Sequence, residues 1–575
     1  MRRRAWVATA AVGLALVGAS LPATAQAGDR AVDMKDNVYI PKDVSVPVGT
    51  TVTWRNSGRS PHNVTAGDNS KQSGNMDAGA SYRLTFDKAQ TFFYYCTYHS
   101  SGTGSGMAGV IRVGSGGPVI GAPRPGNVSN PSPTGPTVRR VPKEYPTIQK
   151  GIDAARSGDV VLVSPGVYKE SVKITKPDIT LRGLDRNKVI IDGEFKRPMG
   201  VLVQDADNVV VENMTARYTT LNNFYWTDVD GFAGRYLTSY NSGDYGIYSF
   251  NSANGVFEDS WASGSRDSGF YIGQCKDCRQ TIQRIKATLS GLGYSGTNAG
   301  GHLALKDSEW WDNYGGGITP NTLDSEENPP QTDMVISGNY VHGNQNIDAP
   351  YKDPAFASVY GFGIAVMGGE KDVVIDNRVE DHLYFGIILQ PTPGYASDFV
   401  TGNLYPGRNN RVEGNTVSGS GLADLALGLP AGEGNCFADN TFSTSLPPAI
   451  ETLHACGGPL SAAGGGDPSV TAVFASNFAR ATSGELAPGD WKTQPVPPPQ
   501  PTMPNADKVD FRATGTAPLG TVDDPAVGTG GEQLRVLPNT GAGRPYRTAG
   551  LALIALAGVW AGVTVVRTRG AAPAR

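Results

Sequence analysis

A repeat with a step of 23 residues constrains the fold of this chain more than any other feature. Three strand-like segments fall into register at that step, at residues 211–216, 234–239 and 257–262. Later copies drift in spacing, but each ends in Asn, at residues 335–339, 373–377, 411–415 and 436–440. Short strands with Gly and Asn at the corners are typical of a solenoid, and a recurring Asn can satisfy the backbone at each bend. The repeat therefore predicts a right-handed parallel β-helix.

The region before the repeat alternates apolar and polar residues in short runs. These runs lie at residues 44–48, 51–54, 82–86 and 110–113, with Gly, Pro and Asn turns between them. Alternation with a period of two is typical of strands whose two faces differ, and it predicts an antiparallel Greek-key sandwich. The fold class is therefore all-β, with a β-sandwich followed by the β-helix.

Stretches rich in Gly, Pro, Ser and Asn mark the domain boundaries, because they bury too little apolar surface to fold alone. After an export signal at 1–27 we predict a sandwich domain at 28–114, a linker at 115–140, the β-helix at 141–485, a wall-spanning stalk at 486–536 and a sorting signal at 537–575. A short helix that places Ile148, Ile152 and Ala155 on one face, and stops at Gly158, should open the β-helix.

Both ends of the chain carry targeting patterns. Three arginines at 2–4, an apolar stretch at 5–21 and the small-residue site Ala25-Gln26-Ala27 predict a cleavable export signal, by the general or the twin-arginine route. Near the other end, an apolar run at 549–566 followed by basic residues has about the length needed to cross a bilayer.

A pentapeptide precedes that apolar run, and it consists of Leu537, Pro538, Asn539, Thr540 and Gly541. The order of pentapeptide, transmembrane helix and basic tail resembles a Gram-positive LPxTG sortase sorting signal. The resemblance implies that sortase cleaves after Thr540 and attaches the protein to cell-wall peptidoglycan on the outer surface. A plain C-terminal membrane anchor is the alternative.

Four residues of the sandwich domain have the chemistry of a type 1 copper site, which needs two imidazoles, one thiolate and a weak thioether contact. His62 lies between two strand-like runs, and Cys96 ends an aromatic run. His99 follows three residues later, and Met107 precedes the last strand. The chain has only 6 histidines, which argues against two of them falling at these positions by chance. Otherwise Cys96 is a buried free thiol and the histidines are ordinary loop residues.

The motifs P-H-N-V, Y-Y-C-x-x-H and G-M-x-G resemble those of plastocyanin and pseudoazurin. The resemblance implies a cupredoxin domain that holds one copper ion through His62, Cys96, His99 and Met107. Asn63 matches the family residue whose hydrogen bonds tie the first histidine's loop to the cysteine loop. The segment 100–106 is longer than usual in these families, which leaves the axial role of Met107 open. A closed site of this kind implies electron transfer to a redox partner protein, or copper holding.

The remaining four cysteines suggest two disulfides in an oxidising compartment, most simply Cys275 with Cys278 and Cys436 with Cys456. The composition, with 74 Gly, 40 Pro and a net charge of -4, fits an extracellular β-rich protein. It offers no basic surplus for a nucleic-acid partner.

Residues from 145 to about 445 resemble the pectate-lyase-like superfamily of β-helices, which leaves three hypotheses for this domain. It is a scaffold or glycan-binding module, a polysaccharide lyase or hydrolase, or, by resemblance to periplasmic β-helix proteins that assist copper assembly of nitrous oxide reductase, a copper-delivery module. Candidate charged clusters are Asp205 with Asp207, Asp228 with Asp230, and Lys306 with Asp307 and Glu309. Candidate sugar-stacking or rung-filling aromatics are Tyr225, Trp226, Trp310, Trp311 and Tyr314. We expect His302, His342, His382 and His454 to be surface or core residues.

Overall fold

The computed structural model describes residues 29–121 except 36, 59, 101, 103, 105 and 116, residues 135–393 except 325, residues 403–458, and residues 465–511 except 510. The export signal, the pentapeptide Leu537–Gly541 and the apolar run at 549–566 lie outside the described residues. No helix in the described ranges is long and apolar enough to span a membrane.

The N-terminal domain is a sandwich of two sheets. One sheet contains, in spatial order, the strands Val38–Ile40, Arg30–Lys35, Thr51–Asn56 and Ser81–Thr85. The other contains Asp43–Val46, Ala108–Val113, Gln90–Tyr95 and Thr65–Ala66, with Val119–Ile120 beside Gln90–Tyr95. Alternate residues such as Val52, Trp54, Phe92 and Tyr94 point into one core between the sheets. The pairing is mixed, because Arg30–Lys35 runs parallel to Thr51–Asn56.

The second domain is a parallel β-helix, which confirms the predicted fold class. The larger of its two sheets has 20 strands among the described residues: Val138–Val141, Val160–Val163, Gly166–Tyr168, Thr180–Gly183, Val189–Asp192, Val209–Arg217, Asp230–Tyr240, Ala253–Glu258, Trp261–Ser263, Gln280–Gln283, Lys286–Thr288, Gly300–Lys306, Glu309–Trp311, Thr332–Ser337, Tyr340–His342, Val373–Ile375, Arg378–Glu380, Arg411–Glu413, Thr416–Ser418 and Cys436–Ala438.

The second sheet of the β-helix carries the surface that meets the sandwich. Within the described ranges its 11 strands are Val172–Ile174, Met199–Gln204, Asn222–Thr227, Ile247–Phe250, Ser268–Gly273, Leu292–Thr297, Ile318–Asn321, Phe362–Met367, Phe385–Gln390, Ala423–Leu427 and Ser445–Leu446. A separate antiparallel pair joins Thr392–Pro393 to Leu404–Tyr405. Register follows the sequence repeat, since Glu212 pairs with Arg235 and Arg235 pairs with Glu258.

Helices close and cover the β-helix. The helix Ile148–Ala154 begins at Thr147, whose hydroxyl accepts the Lys150 N–H, and it buries Ile148 and Ile152 as predicted. The sequence analysis did not anticipate the helix Pro468–Thr482, whose Val470 packs on the second sheet. A 3-10 helix at Pro354–Val359 and a short helix at Ile450–Leu453 complete the helical elements of the described chain.

The recurring asparagines stack as predicted. The Nδ2 atom of Asn339 donates to Oδ1 of Asn377 at 2.9 Å, Asn377 donates likewise to Asn415 at 3.0 Å, and Asn415 donates to Asn440 at 2.9 Å. Each Nδ2 also donates to main-chain carbonyls, as Asn377 does to Ile336 O at 2.8 Å. The ladder therefore satisfies the buried backbone where each coil bends.

Both predicted disulfides are formed, between Cys275 and Cys278 and between Cys436 and Cys456. Cys278 is fully buried, and the Cys275 carbonyl accepts the N–H of Gly300 in the next coil. The C-x-x-C motif is thus a structural staple inside the β-helix.

The predicted boundaries need correction at both ends of the β-helix. The strand Val119–Ile120 pairs with the sandwich and Val138–Val141 with the β-helix, so the ends of the predicted linker 115–140 belong to the domains. Residues 486–509, expected in the stalk, instead run along the β-helix as a strap. Side chains of the β-helix bond to the strap backbone: Asn187 to Gln500, Asn213 to Met503, and Asn241 to Lys492 and Gln494. The hydroxyl of Thr502 also donates to Asn213.

Candidate metal centre

The sandwich brings the predicted ligand segments together through backbone hydrogen bonds. His62 forms a two-way bridge with Met76, in which His62 N donates to Met76 O at 3.1 Å and Met76 N donates to His62 O at 2.8 Å. Cys96 directly follows the strand Gln90–Tyr95, and its N–H donates to Met107 O at 2.9 Å. The N–H of Met107 in turn donates to His99 O at 3.0 Å. One closed loop therefore carries Cys96, His99 and Met107.

Three donor atoms converge inside this loop. Nδ1 of His62 lies 3.2 Å from Nδ1 of His99, and the Sγ atom of Cys96 lies 3.4 Å from His99 Nδ1 and 3.9 Å from His62 Nδ1. A metal in their plane, bonded at about 2.0 Å to nitrogen and about 2.3 Å to sulfur as in zinc sites, would hold the three atoms about 3.5–3.7 Å apart. The observed triangle therefore fits one bound metal ion.

The donor set suits copper. Two imidazoles and one thiolate in a trigonal arrangement are the ligands of blue-copper sites. Among the described residues, one group of three or more histidine, cysteine or acidic side chains has its ligand atoms within 4.8 Å of one another, and it consists of His62, Cys96 and His99. All three are buried. A buried, soft thiolate between two imidazoles selects against hard cations such as Mg²⁺ and Ca²⁺.

Burial controls the protonation of the donors. It raises the pKa of the Cys96 thiol to about 11, and N–H groups of Tyr98, Asn63 and His99 that point at the sulfur counteract this rise. Burial also lowers the pKa of His99 far below its usual range, with further lowering by the His62 and Lys352 charges. His99 is therefore neutral and able to offer a ring nitrogen lone pair to a metal. A coordinated metal would supply the positive charge that deprotonates the thiol.

Asn63 has the bridging position that the sequence analysis expected. Its Nδ2 donates to Thr97 Oγ1 at 2.7 Å, and its Oδ1 accepts from Thr97 N at 3.0 Å and from Thr65 Oγ1 at 3.1 Å. Its main-chain carbonyl accepts from the Tyr39 hydroxyl at 2.5 Å. The side chain thus ties the segment after His62 to the residue after Cys96.

Met107 is fully buried in the same apolar cluster as Cys96. The turn before it requires glycine, because Gly106 has a φ of 64° and a Cβ there would lie 2.5 Å from His99 O. The turn at Gly106 therefore brings Met107 beside His99. The axial role of the Met107 sulfur stays a prediction.

Residues of the β-helix also reach this centre, and the sequence analysis missed them. The Phe250 ring packs edge-on to the His99 ring with centroids 6.4 Å apart, and Gln204 Nε2 donates to Ser100 O at 2.8 Å. Lys352 Nζ donates to Ser60 Oγ at 2.7 Å. The 23-residue step could have placed Gln204 and Phe250 in one row of the β-helix surface, whereas no sequence signal marked Lys352.

Most of the candidate site residues within the β-helix are buried or are bonded to neighbouring side chains. Tyr225, Trp226, Trp310 and Tyr314 are fully buried, so of the two alternatives for these rings the structure favours packing within the protein over stacking on sugars. Trp311 alone of the five is partly exposed, between Trp261 and His342.

The candidate carboxylates hold corners of the coils. Asp205, Asp228 and Asp307 have φ between 50° and 56°, a conformation in which short polar side chains cap turns. Asp207 accepts the N–H of Asp230, and Asp228 accepts from Asn251 at 2.6 Å. The other candidate carboxylates pair with neighbouring side chains: Asp230 with Asn254, and Glu309 with Lys286 and His342.

The other four histidines are surface or core residues, as expected. His302 is exposed and bonded to Asp277, and His342 is partly exposed beside Glu309. His382 is buried at the end of the Asn313–Asn344 stack, where Asn344 Nδ2 lies 3.2 Å from its Nε2. His454 caps the helix Ile450–Leu453.

Comparison with known proteins agrees with this geometry. The model of copper-binding proteins of the plastocyanin/azurin family matches residues 27–114. Amicyanin from Paracoccus denitrificans is 37% identical over 84 residues, which are 13% of this chain and 64% of the relative. Across the β-helix, a mannuronan C-5 epimerase A-module from Azotobacter vinelandii aligns with a TM-score of 0.39 and 17% identity, covering 51% of this chain and 90% of that module.

Plastocyanin from Scenedesmus fuscus is 37% identical over 87 residues, which are 13% of this chain and 86% of that relative. The family match at residues 27–114 contains His62, Cys96 and His99, whose donor atoms converge in the structure. Through residues 27–114 the chain therefore belongs to the plastocyanin/azurin family of copper-binding proteins.

Proposed function

We propose that this protein is an exported one-electron carrier that uses a single type 1 copper ion. The observation that carries the proposal is the buried triangle of His62 Nδ1, Cys96 Sγ and His99 Nδ1, whose edges fit one metal ion. When bound, copper supplies a couple between Cu(II) and Cu(I). The residues supply fixed donors that do not have to move when the charge changes.

The enclosure of the site supports electron transfer over oxygen or substrate chemistry. His62, Cys96 and Met107 are fully buried and His99 is nearly so, so the protein shields the side chains that would hold the metal from a substrate in solution. With copper bound, a reductant would give one electron to the centre and an acceptor would later remove it, while His62, Cys96 and His99 keep their positions and no bond to either partner forms. The partner is therefore a redox protein or another one-electron reagent.

The β-helix acts in this proposal as a scaffold or a glycan-binding module. The polysaccharide lyase or hydrolase hypothesis is weaker, because the candidate carboxylates hold turns or are engaged in ion pairs. A general acid or base needs a proton-transfer group free to meet its substrate. Incubating the full chain with a panel of uronic and neutral glycans separates the two hypotheses, since turnover would favour the enzyme.

The proposed location is the outer surface of a Gram-positive cell. The support is the pentapeptide Leu537–Gly541, followed by the apolar run 549–566 and a basic tail. Sortase and peptidoglycan are then the partners of the C-terminus. Mass spectrometry of protein released from the wall should find the last residue of the chain to be Thr540 linked to a cell-wall peptide, and an intact C-terminus in the membrane fraction would instead indicate a membrane anchor.

The copper proposal is tested by titrating the metal-free full chain with Cu(II). We expect one equivalent to bind and to produce an intense thiolate-to-copper absorption band in the visible range. Cys96→Ser and His62→Ala should abolish the band, whereas His302→Ala, which changes an exposed histidine, should leave it intact. Stoichiometric copper uptake without colour would overturn the proposal.

A further inference from the structure

An aromatic row on the outside of the β-helix faces the copper domain. Leu202, Tyr225, Tyr248 and Tyr271 pair in register at 23-residue steps. Their chain neighbours, such as Phe224 and Trp226, lie in the β-helix core, so the row points outward. Tyrosine side chains on the outer face of a β-helix are usually exposed to solvent, yet these three are at most 1% exposed. The loop that carries Cys96, His99 and Met107 is called the copper loop below. Its Tyr98 packs against this row and against the sandwich core.

The next outward row meets the copper ligands themselves. Gln204, Thr227 and Phe250 pair in register two residues beyond the tyrosine row. Phe250 lies edge-on to the His99 ring, and Gln204 donates to the carbonyl of Ser100, the residue after His99. The β-helix therefore covers the face of the loop that carries His99, which is 7% exposed.

A buried ion cluster lies beside the same junction. Lys352 Nζ lies 2.8 Å from Asp244 Oδ1 and 3.5 Å from Asp267 Oδ2, and all three side chains are at most 11% exposed. The ammonium group also donates to Ser60, two residues before His62. The β-helix thus places a charged group against the segment that carries His62.

Further polar contacts fix the orientation of the two domains. Lys42 pairs with Glu327 at 2.5 Å, and Asn37 Nδ2 donates to Glu326 at 3.3 Å. Glu326 also accepts from the hydroxyl of Tyr271 at 3.2 Å, so it links the sandwich to the tyrosine row. The junction therefore has an apolar centre with polar contacts around it, as specific protein interfaces do.

We propose that the β-helix is a built-in part of the copper centre, in which Phe250 and Gln204 close the His99 edge and Lys352 sets the charge beside it. The role of Lys352 rests on the proposed copper function. A redox partner cannot touch the His99 edge while this junction is closed, so electrons enter by another face of the copper domain, through the β-helix, or after the domains separate. A nearby ammonium disfavours Cu(II) relative to Cu(I), and a nearby carboxylate does the opposite.

Closure is tested on the metal-free full chain by the reactivity of Cys96. The chain has five cysteines, all of them described, and four form disulfides, so Cys96 is the thiol that 5,5′-dithiobis(2-nitrobenzoate) would report. Phe250→Ala removes a ring from the junction and should speed labelling by at least about tenfold, with a smaller rise for Gln204→Ala. Phe195→Ala, which removes a ring packed on Trp491 elsewhere, is the control. Labelling of both junction variants at the wild-type rate would overturn closure.

The charge effect is tested on the copper-loaded chain by redox titration of the absorption band at pH 8. Lys352→Met should lower the reduction potential, Asp267→Asn should raise it, and Lys352→Arg should retain it. Lys286→Met, which removes an ammonium paired with Glu309 on the other sheet, should leave it unchanged. Shifts of the same sign for Lys352→Met and Asp267→Asn, or no shift in either, would refute the role of Lys352. A missing band would refute the proposed function and leave the thiol test of closure valid.

Discussion

Removing the Asn63 side chain should weaken copper binding without unfolding the sandwich. Asn63→Ala deletes three hydrogen bonds, of 2.7, 3.0 and 3.1 Å, to Thr97 and Thr65. At about 0.5–1.5 kcal/mol each, they contribute about 1.5–4.5 kcal/mol. Part of this energy orients the ligand loops, and loss of such outer contacts typically reduces metal affinity by about 10–100-fold. That range corresponds to about 1.4–2.7 kcal/mol of binding free energy.

The affinity is measured by competition of the full chain with a chelator, and stability by thermal unfolding with and without copper. Because a metal that binds only the native state stabilises it by mass action, the copper-dependent rise in Tm should shrink in Asn63→Ala. Thr97→Val removes only the 2.7 Å bond and should have a smaller effect. Asn75→Ala, which loses one exposed bond to Asp77, is the matched control.

An unchanged dissociation constant and absorption band in Asn63→Ala would refute this reasoning. The ligand loops would then be held by their backbone bonds alone, such as Cys96 N to Met107 O. Equal loss of metal-free and copper-loaded stability would also contradict it, because it would show that Asn63 supports the sandwich and not the orientation of the ligands.

Three further predictions concern the β-helix. Burial raises the pKa of Asp372 to about 7, so this carboxyl contributes stability that is fully present below its ordinary pKa and is lost as the pH rises through 7. Between pH 5 and pH 8 the free energy of unfolding of Asp372→Asn, measured in urea, should therefore gain about 2.7 kcal/mol relative to wild type. Asn377→Ala removes the bonds to Asn415 and the Ile336 carbonyl and should lower the free energy of unfolding by about 3 kcal/mol or more. A chain ending at residue 485 should have a lower Tm than one ending at residue 511, because it lacks the strap 486–509; equal Tm values would contradict the packing described here.

The sequence predicted those parts of the structure that rest on local spacing. The 23-residue step became the register of the coils, because parallel strands place equivalent residues side by side. The spacing of Cys96 and His99 fits one tight turn, in which His99 N donates to Cys96 O. His62 could be assigned only by its motif, since its approach depends on strands far apart in sequence.

The strap and the junction between the domains could not be predicted in the same way. Residues 486–509 are polar and rich in proline, as disordered stalks are, and what fixes them is a set of β-helix side chains that become available only after the coils form. Lys352 lies in a loop without a motif, and its contacts with Asp244 and Ser60 come from three separate regions of the chain. A repeat in the sequence does not predict contacts between regions that lie far apart in the chain.

The aromatic row shows why solenoid surfaces can still be informative. In a coil of parallel strands, every outward position is copied at the next step, so a single apolar residue is ordinary and a row of them is a continuous surface. Tyr225, Tyr248 and Tyr271 occupy such a row, with Tyr225 and Tyr248 stacked at 4.3 Å between centroids. Exposure of this aromatic row to water would be unfavourable, and here Tyr98 of the copper loop packs against it. The same burial that stabilises the β-helix therefore also determines which face of the copper centre remains accessible to a partner.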